Sequence, residues 1–252
     1  MVIRRDGDAA ILIGQPSHAW VSGELARAWG NRRFGAVEPW EEVCLAAEQH
    51  DVGMADWDLR PTLNPDTGLP HSFTEMPLDD HLAIWSRAAS KLVPQSRYAA
   101  LLVSMHGLAL YEMRDLDRMD PGDAARVRRF MAELRDEQAR LLVSLDADRA
   151  LVRRGQRQLW TWDYMSLALC LDWAPATVAA VPAAGDPVDV RLDPAGELRV
   201  AVDPWPFRDE SVSVRCEGRR VEPGFGDEDE MRDALDAAPW VRLEWELVPA
   251  GS

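Results

Sequence analysis

Residues 41–53, which read EEVCLAAEQHDVG, predict a helix with an apolar face that carries His50 and Asp51 at its end. Pro39 suits the first turn of this helix, and Gly53 falls where a helix commonly stops. Two adjacent ionisable side chains are costly to bury unless they find partners. The stretch therefore predicts helical structure around a polar centre to which other parts of the chain contribute.

Helical periodicity continues on both sides of this stretch. It predicts one helix from Ser17 to about residue 30 and further helices at about 78–93, 96–113, 122–149 and 156–173. Residues 58–77 are rich in proline, which predicts a long loop of the kind that often covers a site. An apolar run at 9–13 predicts a short strand near the N-terminus.

The pattern changes after Pro175. Short alternating stretches at about 188–192, 198–202, 211–216 and 241–247 predict strands, with one short helix at about 227–237. The fold class that we expect is mainly α: a helical bundle domain over residues 1–175, with a small β-rich C-terminal appendage over 176–252, α+β overall. The appendage is expected to pack on the bundle.

Composition excludes several classes of function. A net charge of −15, with Lys91 as the only lysine, argues against a nucleic-acid surface. No stretch reaches the roughly 18–20 apolar residues of a membrane span, and residues 1–8 do not read as a signal peptide. Three distant cysteines, Cys44, Cys170 and Cys216, are typical of reduced thiols. We therefore expect a cytoplasmic protein with no nucleic-acid or membrane partner.

Four of the five histidines and two aspartates form an ordered set along the chain: His18, His50, Asp51, His81, His106 and Asp163. Imidazole and carboxylate together bind Fe, Mn, Zn or Ni at catalytic sites. A shared carboxylate can bridge two ions roughly 3.5–4 Å apart. The set therefore predicts two metal ions, with iron favoured and Mn, Zn or Ni as the other possibilities.

In this order the residues resemble the HD-domain superfamily, whose members are all-helical metalloenzymes with the pattern His…His-Asp…Asp. His18 matches the first histidine, His50 and Asp51 the dipeptide, and Asp163 the last aspartate. Superfamily members with two metals carry two more histidines, where His81 and His106 stand here. The resemblance covers about residues 15–172 and implies a metal-dependent hydrolase that uses a bridging hydroxide on a phosphoester or related small anion.

One departure weakens the hydrolase interpretation. Many HD phosphohydrolases carry a phosphate-binding lysine after the dipeptide, and Met54 occupies that position here. A substrate anion would then need arginine, for which Arg32, Arg33, Arg60 and Arg87 are candidates. The resemblance also allows a di-iron oxygenase that uses O2 to cleave a C–H, C–C or C–P bond. A third alternative is a non-catalytic, metal-stabilised binding module.

Other residues are secondary candidates. Asp51, Glu24 and Asp58 are the candidate catalytic carboxylates, as general bases or as partners that orient a histidine, although Glu24 and Asp58 could also be surface charges. His71, in the long loop, is a candidate contact for a small-molecule substrate. The substrate itself and the oligomeric state do not follow from the sequence.

Overall fold

The computed structural model describes residues 1–251, which form an α+β fold, about half of it helical. The helices are α1 (Gln15–Ala28), α2 (Trp40–Gln49), α3 (Ala55–Leu59), α4 (Leu78–Leu92), α5 (Arg97–Glu112), α6 (Pro121–Leu145), α7 (Arg149–Cys170) and α8 (Glu228–Ala237). The strands are β1 (Val2–Asp6), β2 (Ala9–Ile13), β3 (Leu63–Asn64), β4 (Leu69–Pro70), β5 (Ala176–Val181), β6 (Val188–Gly196), β7 (Arg199–Asp203), β8 (Val212–Val221) and β9 (Trp240–Pro249).

Seven strands form one curled mixed sheet in the order β1-β2-β8-β9-β7-β6-β5. Neighbouring strands are antiparallel except β7 and β9, which are parallel. The N-terminal strands join the C-terminal ones through β2 and β8, where Ala10 lies opposite Val221. Gly218 permits this pairing, because a Cβ there would lie 2.7 Å from Cγ2 of Ile11.

The expected mainly α fold, an HD-like bundle with a small β-rich appendage, is wrong. The sheet is large, and it takes in β1 and β2 from the start of the chain as well as five strands beyond residue 175. The apolar run at 9–13 is buried at every position and becomes an interior strand of that sheet. Local patterns identified four of the C-terminal strands, but pairing between distant strands leaves no local signal.

Most predicted helices lie within a few residues of their expected positions. The main difference is the break between α6 and α7, which falls at Asp146 in a left-handed conformation with φ of 47°, so that α7 begins at Arg149. Residues 60–77 are not a featureless loop. They contain the β3–β4 hairpin and a capping box in which Ser72 and Glu75 bond each other's backbone.

Helix α1 lies between the sheet and the other helices, since it packs on β8 and also on α2 and α7. Gly23 lets α1 and α2 approach closely, because a Cβ there would meet Cβ of Glu48 at 2.7 Å. Edge-to-face contacts of Trp29 with Phe34, Trp162 and Phe207 fasten the end of α1 to α7 and to the segment before β8. This packing sets the position of every metal-ligand candidate on α1, α2 and α7.

None of the helices formed by residues 1–251 combines the length and the apolar character that crossing a membrane would require.

Candidate metal centre

A cavity of about 270 Å³ opens among α1, α4, α5, α7 and the turn after α2. Its polar lining consists of Gln15, His18, Asp51, Thr74, His81, His106, Arg114 and Asp163. Its apolar lining consists of Met54, Phe73, Met76, Trp85, Leu110 and Leu167. Five of the six predicted metal ligands line this cavity, and the sixth, His50, is fully buried beside them.

His50 and Asp51 reach one centre because the helical conformation of α2 stops after His50. Consecutive side chains on a helix point about 100° apart. Here α2 ends at Gln49, and Asp51 leaves the helical conformation with φ −102° and ψ 17°. The turn that follows uses Gly53, whose missing side chain leaves room for Ile84 and Ala88 of α4.

The His50 ring is arranged as a metal ligand. Its Nδ1 lies 2.8 Å from the carbonyl oxygen of Ala47, which assigns the Nδ1 proton to that hydrogen bond. Its Nε2 lies 3.3 Å from Oδ1 of Asp163 and 3.6 Å from Oδ2 of Asp51, and it hydrogen-bonds neither. A neutral ring that points a lone pair at two carboxylates in a fully buried side chain is costly, and either a proton or a bound metal cation on Nε2 would remove that cost.

His18 is held in the same way by two serines. Its Nδ1 lies 2.9 Å from Oγ of Ser166, which donates to the carbonyl of Asp163 and accepts from Ser22. Ser166 therefore has a lone pair free for the Nδ1 proton of His18. Nε2 of His18 lies 2.7 Å from Oδ2 of Asp51. This is the distance of a hydrogen bond, and an ion bound by both residues would have to widen it.

Around His50, His106 and Asp163 the donor atoms have the spacing of a coordination shell. Atoms bonded to one ion at about 2.1 Å in tetrahedral geometry lie about 3.4 Å apart. The separations of 3.3 and 3.6 Å around Nε2 of His50, and of 3.5 Å between Nε2 of His106 and Oδ2 of Asp163, are close to that value. Ligand atoms of His18, His50 and Asp163 all lie within 4.8 Å of one another. This buried His/Asp set fits an Fe, Mn, Zn or Ni ion.

The charges of the cluster are strongly coupled. Burial by itself lowers the pKa of His50, but the negative charges of Asp51 and Asp163 outweigh it and raise the pKa to about 9. Burial would raise the pKa of both carboxyls, yet the facing histidines hold each well below its usual range. Both aspartates are therefore anionic at neutral pH and able to bind a cation.

His106 lies next to this cluster. Burial lowers its pKa to about 4, so the ring is neutral. Its Nδ1 is buried without a partner, while its Nε2 faces Asp163. The ring packs between Trp85 and Trp160, with centroids 5.7 and 5.5 Å away. His106 can therefore complete the shell of the same ion.

His81 lines the cavity, but both of its ring nitrogens are already hydrogen-bonded to other side chains. Its Nε2 accepts a hydrogen bond of 3.3 Å from the indole of Trp85, and its Nδ1 is hydrogen-bonded to the hydroxyl of Tyr111. Burial, and then the positive charge of Arg114, lowers its pKa to about 4. His81 would have to give up the Trp85 bond before its Nε2 could bind a metal.

The structure places Glu24 and Asp58 away from the cavity lining. Glu24 accepts a hydrogen bond of 2.7 Å from the backbone of Arg215 and so ties α1 to β8. Asp58 accepts from the backbone of Gln15 at the start of α1 and lies 2.9 Å from the nitrogen of Met1. Burial raises the pKa of Asp58. Both carboxylates hold structural elements together.

The predicted substrate-binding residues also lie elsewhere. Arg32 and Arg33 are exposed in the loop after α1, and the carbonyl of Arg33 accepts from Ala184. Nδ1 of His71 lies 3.0 Å from the hydroxyl of Thr62. Arg60 and Arg87 line a separate depression of about 370 Å³ between α3 and α4.

Sequence reasoning missed Arg114, Gln15, Tyr111 and Ser166. The signal for Arg114 was helical spacing, since His106, Leu110 and Arg114 follow one another at intervals of four and line the same cavity. Ser166, three residues after Asp163, carries the same kind of signal. Gln15 has a buried carbonyl oxygen without a partner, which only the structure reveals.

Comparison with known proteins assigns a family and no activity. The family described as "Protein of unknown function (DUF3891)" matches residues 1–223, and the chain therefore belongs to that family. No curated protein and no solved structure matches the chain. All six predicted ligands fall within the matched residues. The comparisons give no link to the HD-domain superfamily, so that resemblance stays a prediction.

Proposed function

We propose that this member of the DUF3891 family is a metal-dependent hydrolase of a small anionic substrate. Its metal centre is formed by His18, His50, Asp51 and Asp163, with His106 beside them. The observation that carries the proposal is the Nε2 atom of His50, buried without a hydrogen bond between two carboxylates at coordination distance.

A bound divalent ion supplies an activated water, because it lowers the pKa of a coordinated water molecule towards 7. The chain supplies the rest. Asp51 lines the cavity, and its carboxylate oxygen that does not hold the ion can accept a proton. Ser166 and the carbonyl of Ala47 orient the two imidazoles.

The geometry favours one ion over the two that the sequence predicts. A second ion would need His81, whose two ring nitrogens already bond Tyr111 and Trp85. The di-iron oxygenase alternative has the same requirement, since it uses all six ligands. Hydrolysis at a single ion needs no rearrangement of the aromatic side chains around His81.

The test begins with elemental analysis of the purified protein beside the variants His50→Ala and Asp163→Ala. His71→Ala is the matched control, because His71 bonds Thr62 outside the cavity. We expect about one ion per chain in the wild type and in His71→Ala, and loss of the ion in the other two with the fold retained by circular dichroism. Equal metal content in all four proteins would refute the proposed centre.

The second step is a panel of phosphoesters and carboxylic esters, run with an oxygen electrode. We expect hydrolysis by the metal-loaded wild type that is lost on chelation and in Asp163→Ala, with no O2 uptake. Oxygen uptake coupled to two irons per chain would establish the oxygenase alternative. Metal binding without turnover of any ester would favour the non-catalytic binding module.

A further inference from the structure

Arg114 is a free guanidinium at the cavity. It follows the last turn of α5, and its guanidinium carbon lies 4.5 Å from the centre of the Tyr111 ring. Within residues 1–251 it forms no ion pair and no side-chain hydrogen bond, and it is the one arginine or lysine that lines this cavity. Other arginines of this acidic chain are paired with carboxylates, as Arg135 of α6 is with Glu112 of α5.

The contact with the Tyr111 ring restrains the guanidinium of Arg114. A planar guanidinium that lies on an aromatic face presents its N–H groups sideways, where they can bind a carboxylate or phosphate in two-pronged fashion. The side chain is exposed, so its ordering by Tyr111 lowers the entropy that an incoming anion would have to overcome. Lysine at this position could offer only a point charge.

Apart from Arg114 and the four metal-ligand candidates His18, Asp51, His106 and Asp163, six of the nine lining residues are apolar, and the polar ones are Gln15, Thr74 and His81. Phe73 and Met76 come from the segment after the β3–β4 hairpin, Trp85 from α4, Leu110 from α5 and Leu167 from α7. These apolar walls offer no hydrogen bonds, and Gln15 and Thr74 could satisfy only a few hydroxyls, which disfavours a highly polar substrate. They suit a flat or aliphatic body that is buried between the anion-binding arginine and the metal-ligand cluster.

We infer that the substrate class is a small molecule with an anionic group at one end, a carboxylate or a phosphoryl group, and an apolar body, and that Arg114 is the residue that selects it. That such a molecule is hydrolysed rests on the proposed function. The binding of the anion by Arg114 does not depend on the metal.

The experiment measures dissociation constants by ligand-observed NMR titration for three probes of similar shape: benzoate, phenylphosphonate and neutral benzamide. The proteins are the wild type, Arg114→Gln and the matched control Arg118→Gln. Arg118 is an exposed arginine four residues later that pairs with Asp115 outside the cavity. Each protein is measured metal-free and after loading with Zn²⁺, and its metal content is recorded.

We expect at least one of the two anions to bind the wild type more tightly than benzamide. Arg114→Gln should weaken the binding of that anion by about tenfold and leave the binding of benzamide and the metal content unchanged. Arg118→Gln should bind all three probes as the wild type does. Which anion is preferred identifies carboxylate or phosphoryl recognition. The inference is overturned if the wild type does not prefer either anion, or if Arg118→Gln weakens binding as much as Arg114→Gln.

The proposed hydrolase activity and the proposed substrate class can be refuted independently of each other. Metal-free protein that binds the anions through Arg114, but takes up no metal, would refute the proposed hydrolase and leave the anion site standing. Protein that binds metal and hydrolyses neutral esters without regard to Arg114 would refute the substrate class alone.

Discussion

Nε2 of His50 lies 3.3 Å from Oδ1 of Asp163, although the two residues belong to the end of α2 and the middle of α7. Neither helix alone could place them so, because the contact depends on α1, which packs against both and brings His18 to the same point. The His50 ring is already turned by Ala47, and His18 by Ser166. The ligands are therefore oriented before any ion binds, which reduces the entropic cost of binding.

Replacement of Ser166 by alanine removes the hydroxyl that holds Nδ1 of His18. Partners of this kind typically contribute about 10- to 100-fold in metal affinity. We expect a loss in that range for Zn²⁺ in a competition titration with a chromophoric chelator. Ser90→Ala is the control, because Ser90 bonds only a carbonyl of its own exposed helix turn. Unchanged affinity in Ser166→Ala would mean that the serine does not orient the ligand.

His81 distinguishes a site for one ion from a site for two. Because Trp85 and Tyr111 already engage its ring, we expect His81→Gln to retain about one ion per chain in elemental analysis. Its affinity for that ion should stay within about threefold of the wild type, since no bond to His50 or Asp163 is lost. A wild type with two ions and a His81→Gln variant with one would instead establish the dinuclear site.

Metal binding should release a proton. In the metal-free protein the pKa of His50 is about 9, so its ring is protonated at pH 7.5, whereas a metal ligand must offer a free lone pair. An ion therefore displaces about one proton, and its affinity should rise by up to about tenfold per pH unit as the pH increases towards 9 and level off above it. Calorimetry in two buffers of different ionisation enthalpy measures the released proton directly.

The direction of the pH dependence also tests whether His50 binds the metal ion. A raised pKa means that the folded, metal-free protein holds the proton more tightly than the unfolded chain does. The stability that His50 contributes without metal is therefore fully present below pH 6.5 and is lost as the pH rises through 9. No proton release at pH 7.5, with metal bound, would show that His50 is not a ligand.

Gly107 provides a test of the packing behind the site. A Cβ at this position would lie 2.5 Å from Cε3 of Trp85, the residue that donates to His81 and packs on His106. We expect Gly107→Ala to destabilise the protein by about 1–3 kcal/mol, measured by urea unfolding, despite the better helix propensity of alanine.

Gly155→Ala is the matched control for that substitution. It is also a buried helical glycine, but its Cβ would meet neighbours no closer than 3.4 Å. Alanine there should be neutral or stabilising by up to about 1 kcal/mol. Equal effects of the two substitutions would show that Trp85 can move without cost.

Much of the local structure could be predicted because its causes are local. The apolar periodicity that identifies α4 and α5, and the proline and glycine around α2, act within a few residues. The break between α6 and α7 was misplaced because Asp146 adopts a left-handed conformation, which a charged helical pattern does not reveal. Strand β5, at 176–181, escaped prediction because it is short and half exposed.

The residues of the candidate site also fall into two groups, those that could be identified from the sequence and those that required the structure. His18, His50, Asp51, His106 and Asp163 could be identified by residue type and order, since few side chains can bind a metal and a buried one needs a partner. For Arg114, Tyr111 and Ser166 helical spacing was at most a weak signal, and their contacts became visible only when α5 was placed against α4 and α7 against α1. Glu24 and Asp58 were candidates because they stand near ligands in sequence, yet their side chains point to backbone groups.

By itself, then, the sequence determined the helices, the turn at His50 and Asp51 and the set of residues able to bind a metal, because these depend on local periodicity and side-chain chemistry. Only the tertiary structure decided that β1 and β2 join the C-terminal strands in one sheet, that Tyr111 bonds His81, and that Arg114 faces a cavity formed by distant elements. Those contacts join residues far apart in the chain, and their free energy depends on the packing of whole elements.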